Sequence, residues 1–274
     1  MNPRQCSEAD REELLHQAQL AVSERDRALG IVSHELRSAL STIDMCTSAL
    51  LEPEPASLEG VRHMAQIIQR SSALMHQIVQ DLVDRASLDT GHFVLERRPT
   101  RLSDVFASAR AMFEPVAADN RLDFVIESST DLPCVDADPA RLLQVLANLL
   151  GNAMKFTPTG GRVVLSALPF DSARSEVGLT TSGRAAVRVA VVDNGPGISR
   201  DELSHVFDWF WQAKPGARGG VGLGLAIARG LVEAHGRTLH VESTLGRGSV
   251  FWFTLAEERR AQRARVIAST QTKN

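Results

Sequence analysis

Cysteine is scarce. The 274 residues hold three, Cys6, Cys46 and Cys134, with neither metal-ligand spacing nor a pairing framework. A disulfide scaffold and a cysteine-built zinc site are set aside, and the thiols read as reduced core or surface groups of a reducing compartment. Long apolar runs are missing too. No stretch reaches the ~20 uninterrupted apolar residues of a bilayer crossing, and the opening Met1–Asp10 lacks the apolar core of a secretory leader. Charge of either sign is not in excess: 30 basic against 33 acidic residues leave −3, which argues against nucleic acid or a membrane surface as partner. What remains is a chain expected in the cytoplasm, without a transmembrane segment. It is 43% apolar and long enough for one large or two modest domains.

The first ninety residues carry a heptad pattern. Leu15, Val22, Leu29, Leu36, Ile43 and Leu50 repeat every seven residues, and Ala18, Val32, Ala39 and Cys46 fill the companion row, broken by Arg25. The spacing predicts one long helix, stopped by the two prolines of Glu52-Pro-Glu-Pro-Ala-Ser57. A second stripe follows in Val61, Ile68, Met75 and Leu82, backed by Met64, Ile67, Leu74 and Ile78. Two helices cannot bury stripes this wide, so the pattern predicts an antiparallel hairpin that closes as a four-helix bundle in a homodimer. On the first helix His34 falls opposite the stripe and should face water. An exposed helical histidine often does nothing, but Glu35 beside it is a carboxylate able to take the imidazole proton while the other nitrogen attacks a phosphoryl group. The remaining histidines, His235 and His240 among them, read as surface or packing residues.

A different pattern starts after a short linker at Arg97-Arg-Pro99. Asp138-Pro139 is a helix start, a capping carboxylate followed by proline. Leu142, Val145, Leu146, Leu149 and Ala153 form a core stripe, and Asn148, Asn152 and Lys155 share an adjacent face within roughly 60° at ~100° per residue. Two amides and an ammonium so aligned suit a polyanion with its metal, since an amide oxygen can ligate Mg2+ and an ammonium can neutralise phosphate. A solvated amphipathic face would look the same in isolation. The strand Arg184–Val192 leads into Asp193-Asn-Gly195-Pro-Gly197, where a carboxylate at a strand end can accept a hydrogen bond from the exocyclic amine of a base. Gly219-Gly220-Val-Gly222-Leu-Gly224-Leu225 opens a helix, Ala226 to His235, whose N-terminal amides can wrap phosphates. Between these segments Val206 to Gly220 changes from aromatic to small and charged residues, as suits a mobile lid with an apolar anchor. The strands at 162–168, 184–192, 237–243 and 249–255 predict a mixed sheet backed by helices.

Taken in this order, the segment His34-Glu-Leu-Arg-Ser-Ala-Leu40, the asparagine box and the two glycine boxes resemble sensor histidine kinases over roughly Leu29 to Leu255. The C-terminal fold is similar to the ATP-binding fold shared with DNA gyrase, Hsp90-type chaperones and MutL. The resemblance implies an α+β chain. Residues 1–92 would form the dimerising, phosphoacceptor hairpin and 93–100 a linker. An α/β sandwich at 101–258 would bind ATP and Mg2+, and 259–274 would be a disordered tail. By resemblance His34 is phosphorylated, Glu35 is the base and Ser38 assists dephosphorylation of the partner. Asn152 is the Mg2+ ligand, Asn148 and Lys155 meet phosphates, and Phe156 lies against adenine or ribose. Asp193 holds the adenine amino group, and Gly195, Gly197, Gly220, Gly222 and Gly224 shape the lid and phosphate loops. The expected activity is ATP-dependent autophosphorylation with transfer to an aspartate of a response regulator, and a role in dephosphorylating that regulator uses the same surface. An ATP-driven clamp of the gyrase or chaperone kind is the alternative. The family usually has proline where this chain has Ala39, which bears on helix bending. Too short a stretch precedes His34 for a sensory domain, so input is expected through the first helix, a partner or a further segment.

Overall fold

The computed structural model describes residues 8–52, 57–90, 93–129, 132–170, 186–213 and 221–258; within 8–28 only the side chain of Gln19 is included. Two compact units divide the chain between Val83 and Asp84, with Gly219–Val221 belonging to the first.

The first unit is helical. Helix α1 spans Glu8–Leu50, and α2 spans Leu58–Asp89, so its last turns fall in the second unit. Ser57 caps α2, its Oγ accepting the Gly60 N–H at 3.1 Å. Residues 53–56 of the expected helix-stopping turn lie outside the described residues, as does Gly91. One row of the α1 stripe is buried: Val32, Ala39 and Cys46 are 4–5% exposed. In the seven-residue row Leu29 at 51% and Leu50 at 36% are exposed, while Leu36 and Ile43 between them are half-buried. Single-sided burial is what one hairpin alone can achieve with a stripe this wide. Helix α1 passes through Ala39 without a break, since alanine keeps the N–H that proline would lose.

The second unit is built on a five-stranded sheet. Its order is β2 (Asp123–Ser128), β4 (Arg162–Phe170), β5 (Ala186–Asp193), β7 (Gly248–Ala256), β6 (His240–Thr244). Strands β2 and β4 run parallel and the other neighbours antiparallel. Alternation puts Val163, Leu165 and Ala167 on one face with Val187, Val189, Val191, Phe251, Phe253 and Leu255, and all are buried. Helices α3 (Leu102–Asn120) and α4 (Pro139–Phe156) pack on that face, with α6 (Gly224–Ala234) alongside α4. A four-residue helix, α5 (Arg200–Leu203), opens with a capping box between Ser199 and Glu202.

Three findings go beyond the sequence reading. The region 101–137, left without elements, folds as α3, β2 and a short strand β3 (Val135–Ala137). The expected linker contains β1 (Arg98–Thr100), antiparallel to β3. The last turns of α2 are also fixed within this unit. Asp84, its side chain 2% exposed, accepts from Arg141 Nη1 at 3.0 Å and Gln144 Nε2 at 2.5 Å, and Arg141 lies over the Phe93 ring. The tail from 259 lies outside the described residues.

Candidate functional site

Helix α4 is the scaffold of the site. Asp138 Oδ1 caps it by accepting the N–H groups of Ala140 and Arg141, and Pro139 supplies the preset φ of the first turn. Leu142, Val145, Leu146, Leu149, Leu150, Ala153 and Met154 are buried, which fixes the helix rotation and turns Asn148, Asn152 and Lys155 along the neighbouring face. The Asn148 Nδ2 amide is buried with no hydrogen-bond partner. A buried donor left unpaired costs about 1–3 kcal/mol, so its place in the fold calls for an acceptor that comes and goes. Asn152 and Lys155 are half-buried, and Lys155 Nζ lies 4.8 Å from the centre of the Phe156 ring, itself 47% exposed.

Both glycine segments come to this helix. A Cβ on Gly195 would lie 3.4 Å from the Phe156 carbonyl oxygen, and one on Gly224 would lie 3.1 Å from Asn148 Oδ1. Asp193 ends β5 with the parity of Val189 and Val191, so it faces the helices rather than the open side. Its Oδ1 accepts the Gly195 N–H at 2.9 Å. Burial pushes the Asp193 carboxyl above the ordinary carboxylate value, opposed by the Gly195 and Ser249 amides that favour the charged form. Such a carboxylate is short of solvent partners and receptive to an amine. The loop beyond is pinned from outside. Gly197 has φ +70° and the Thr244 carbonyl occupies the space a side chain would need, Ser243 Oγ accepts the Ile198 N–H at 2.8 Å, and Pro196 O accepts the Gly246 N–H.

The segment expected to be a lid has described residues at both ends, and these are packed or hydrogen-bonded. Phe207 meets Phe251 edge-on at 6.2 Å, and Val206 is buried. Phe210, at φ +63°, donates its N–H to the Gly222 carbonyl at 3.0 Å. Gly222 has φ +79°, and a Cβ there would lie 2.6 Å from the Trp211 carbonyl, so no other residue fits. Gly220 lies outside the described residues. Gly224 opens α6, whose first amides are without helical partners by construction.

In the first unit His34 stands on α1 with its side chain 78% exposed. Its Nδ1 is 3.8 Å from Glu35 Oε1, longer than a hydrogen bond but within reach on a small rotation. Ser38 is exposed, and its carbonyl accepts the Thr42 hydroxyl at 2.9 Å. The donor set fits Mg2+ carried in by phosphates. Among the described residues no cluster of three or more His, Cys, Asp or Glu could hold a metal, while Asn152 offers one hard oxygen on the face beside the unpaired Asn148 amide.

Two residues to which sequence reasoning assigned no role lie one beside Asp193 and one at the far end of α4 and α6. Ser249 sits opposite Asp193 in the β5–β7 register, a position readable once both strands were assigned. His235, read as a surface or packing residue, is buried and hydrogen-bonded at both ring nitrogens. A cavity of about 450 Å³ is lined by Leu88, Phe93, Phe207, Trp209 and residues of α6, and none of Asn148, Asn152, Lys155 or Asp193 lines it.

Comparison with known proteins agrees with this geometry. Residues 24–91 match the family described as His Kinase A (phospho-acceptor) domain, and residues 137–259 match Histidine kinase-, DNA gyrase B-, and HSP90-like ATPase. The chain is 35% identical over 242 residues to the sensor protein DivL of Caulobacter vibrioides, covering 88% of this chain and 29% of DivL. It is 29% identical over 252 residues to the adaptive-response sensory kinase SasA of Synechocystis sp., covering 90% of this chain and 62% of SasA. The chain thus spans less than two thirds of these relatives. Full-length ShkA in complex with AMPPNP superposes with a TM-score of 0.61 at 28% identity, over 85% of this chain and 46% of that one. No helix among the described residues is long and apolar enough to cross a membrane.

Proposed function

Since this chain belongs to the two-component sensor histidine kinases, we propose that it transfers the γ-phosphoryl group of ATP to His34 and from there to an aspartate of a response regulator. The observation that carries the reading is α4, which bears Asn148, Asn152 and Lys155 and is met by both glycine segments, with the Asn148 amide buried and unpaired. Adenine goes to Asp193, whose carboxylate accepts the exocyclic N–H, while Asn148, Lys155 and the start of α6 meet the phosphates. Phe156 lies against the base or ribose, and Gly195, Gly197, Gly220, Gly222 and Gly224 shape the loops around them. Asn152 would hold Mg2+ together with the phosphates, and the ion would supply charge neutralisation there.

His34 needs one face clear to act, and it has it. With Glu35 on the Nδ1 side, Nε2 is the nucleophile. The Nε2–P bond forms as the bridging Pγ–O bond breaks, ADP leaves, and the Nδ1 proton passes to Glu35. The phosphoramidate then gives its phosphoryl group to the regulator's carboxylate, and Ser38, one turn along, serves the reverse task of regulator dephosphorylation. Leu29 and Leu50 of α1, exposed in the single chain, support a homodimer that covers them. The hairpin of residues 1–92, the connection at 93–100 and the ATP domain of 101–258 are the corresponding parts, and the cytoplasm is the compartment. The clamp alternative is not favoured, because residues 24–91 match a phosphoacceptor family.

Labelled ATP tests the reading. His34→Gln should abolish phosphate incorporation while AMPPNP binding stays unchanged, and the wild-type label should be acid-labile and base-stable. Undiminished incorporation in the variant sinks His34 as acceptor.

A further inference from the structure

His235 joins two helices that the nucleotide site needs in fixed register. Its Nδ1–H donates to the Leu231 carbonyl one turn back on α6, at 2.7 Å, and its Nε2 accepts the N–H of Asp138, the cap of α4, at 3.1 Å. Only the neutral ring with its proton on Nδ1 satisfies both. Asp138 is occupied on every side: Oδ1 caps α4, Oδ2 accepts the Glu96 N–H at 3.0 Å, and its own N–H goes to the imidazole. Arg97 Nη2 donates to the Ala234 carbonyl at 2.6 Å, the last residue of α6. Three chain segments, the end of α6, the start of α4 and Glu96-Arg97, therefore meet around one buried ring.

The consequence lies at the other end of the same pair of helices. Asn148 meets Gly224 there, ten residues along α4 from Asp138 and eleven along α6 from His235. At 1.5 Å per residue these spans are about 15 Å and about 16.5 Å, so the two contacts fix the sliding of α4 against α6. We propose that His235 is a positioning residue for ATP: its hydrogen bond to Asp138 sets the axial register that holds Asn148 against the start of α6. The inference rests on the nucleotide reading above and adds to it a residue that touches no ligand.

The contact is also sensitive to protons. A second proton on the ring would set Nε2–H against the Asp138 N–H and break the tie. The groups facing the ring are the carboxylates of Asp138 and Asp136 and the Leu231 carbonyl, which favour protonation, and the Arg97 guanidinium, which opposes it. Burial outweighs them and holds the imidazole below its ordinary value, so the ring is neutral at neutral pH.

The test is AMPPNP binding with Mg2+ by calorimetry on the full chain, for wild type, His235→Leu and His235→Gln, at pH 7.5 and at mildly acid pH. Glutamine can accept the Asp138 N–H and does not titrate, whereas leucine cannot accept it. At pH 7.5 the leucine variant should bind about three- to tenfold more weakly, as expected for one buried hydrogen bond lost, and the glutamine variant should match wild type. On acidification wild type should weaken more than the glutamine variant, in which the titrations of Asp193 and of the nucleotide remain and that of the ring is gone. Equal affinity of the leucine variant and wild type at pH 7.5 overturns the proposal, as does the same pH response in wild type and the glutamine variant. The second comparison stands even if the leucine variant fails to fold. Absence of AMPPNP binding by wild type itself would overturn the nucleotide reading and this proposal together, and so is distinguishable from either result.

Discussion

His34 stands 78% exposed on its helix with one carboxylate 3.8 Å away, whereas Asp193 is held by two backbone amides at the end of a buried strand. The two units treat their functional groups in opposite ways, and the reason is what each must meet. In the proposed role His34 serves ATP and then a protein acceptor, and a nucleophile of that kind must present an open face, so little can be built around it. Groups that hold a small molecule gain from being fixed before it arrives, because binding then orders fewer side chains. The apolar surfaces follow the same division. The hairpin leaves Leu29 and Leu50 uncovered within one chain, while the sheet of the second unit covers Val163, Val191 and Phe253 completely.

The sharpest way to break this comparison is to change a group in one unit and look for an effect in the other. Glu35→Gln should slow autophosphorylation by about 10²-fold or more, in the range of a lost general base, with nucleotide affinity untouched. Weakened AMPPNP binding in that variant would mean that the units do not divide their labour. Next in size is Asp84→Ala, which strands the partly buried Arg141 guanidinium and should lower the unfolding free energy of the second unit by about 3 kcal/mol. Scanning calorimetry would read this as a shift of one transition if the units melt separately. Gly222→Ala forces a side chain at φ +79° against the Trp211 carbonyl and should cost about 1–3 kcal/mol of stability, read in thermal unfolding.

The smallest effects are those of pH, and the two buried titrating groups differ in sign. Asp193 has a raised pKa, so the folded protein without nucleotide binds this proton more tightly than the unfolded chain does. Its carboxylate costs stability above the ordinary carboxylate range, and that cost is relieved as pH falls through the raised value. Nucleotide binding runs the other way, weakening on the acid side as the adenine acceptor is neutralised. His235 has a lowered pKa, so its contribution to stability is full above the ordinary imidazole value and declines as pH falls below it. Asp193→Asn should weaken AMPPNP binding at neutral pH and flatten the loss on the acid side. An unchanged profile would remove Asp193 from the base-binding role.

Much of this was legible before any coordinates, for physical reasons that can be named. The α4 stripe and its Asp138-Pro139 start carry both periodicity and a cap, so the helix and the face of Asn148, Asn152 and Lys155 could be read directly. Helix α3 has its own apolar spacing in Leu102, Val105, Phe106, Ala109 and Phe113, yet Arg101 makes no side-chain cap and Pro115 lies within it, so neither end announces itself. Strand β2 is an edge strand with mostly half-covered residues, and β1 and β3 are three residues each, too short for a period. His235 was invisible for another reason. Its partner Asp138 lies 97 residues away, and nothing local to a histidine at a helix end tells whether a distant amide will come to it.

The bond from Phe210 to Gly222 closes the stretch between them into a ring of its own. Closure entropy grows only with the logarithm of length, so lengthening that ring costs the domain little. Insertions between those two residues that leave the buried Val221 in place should therefore change the melting temperature of the second unit little.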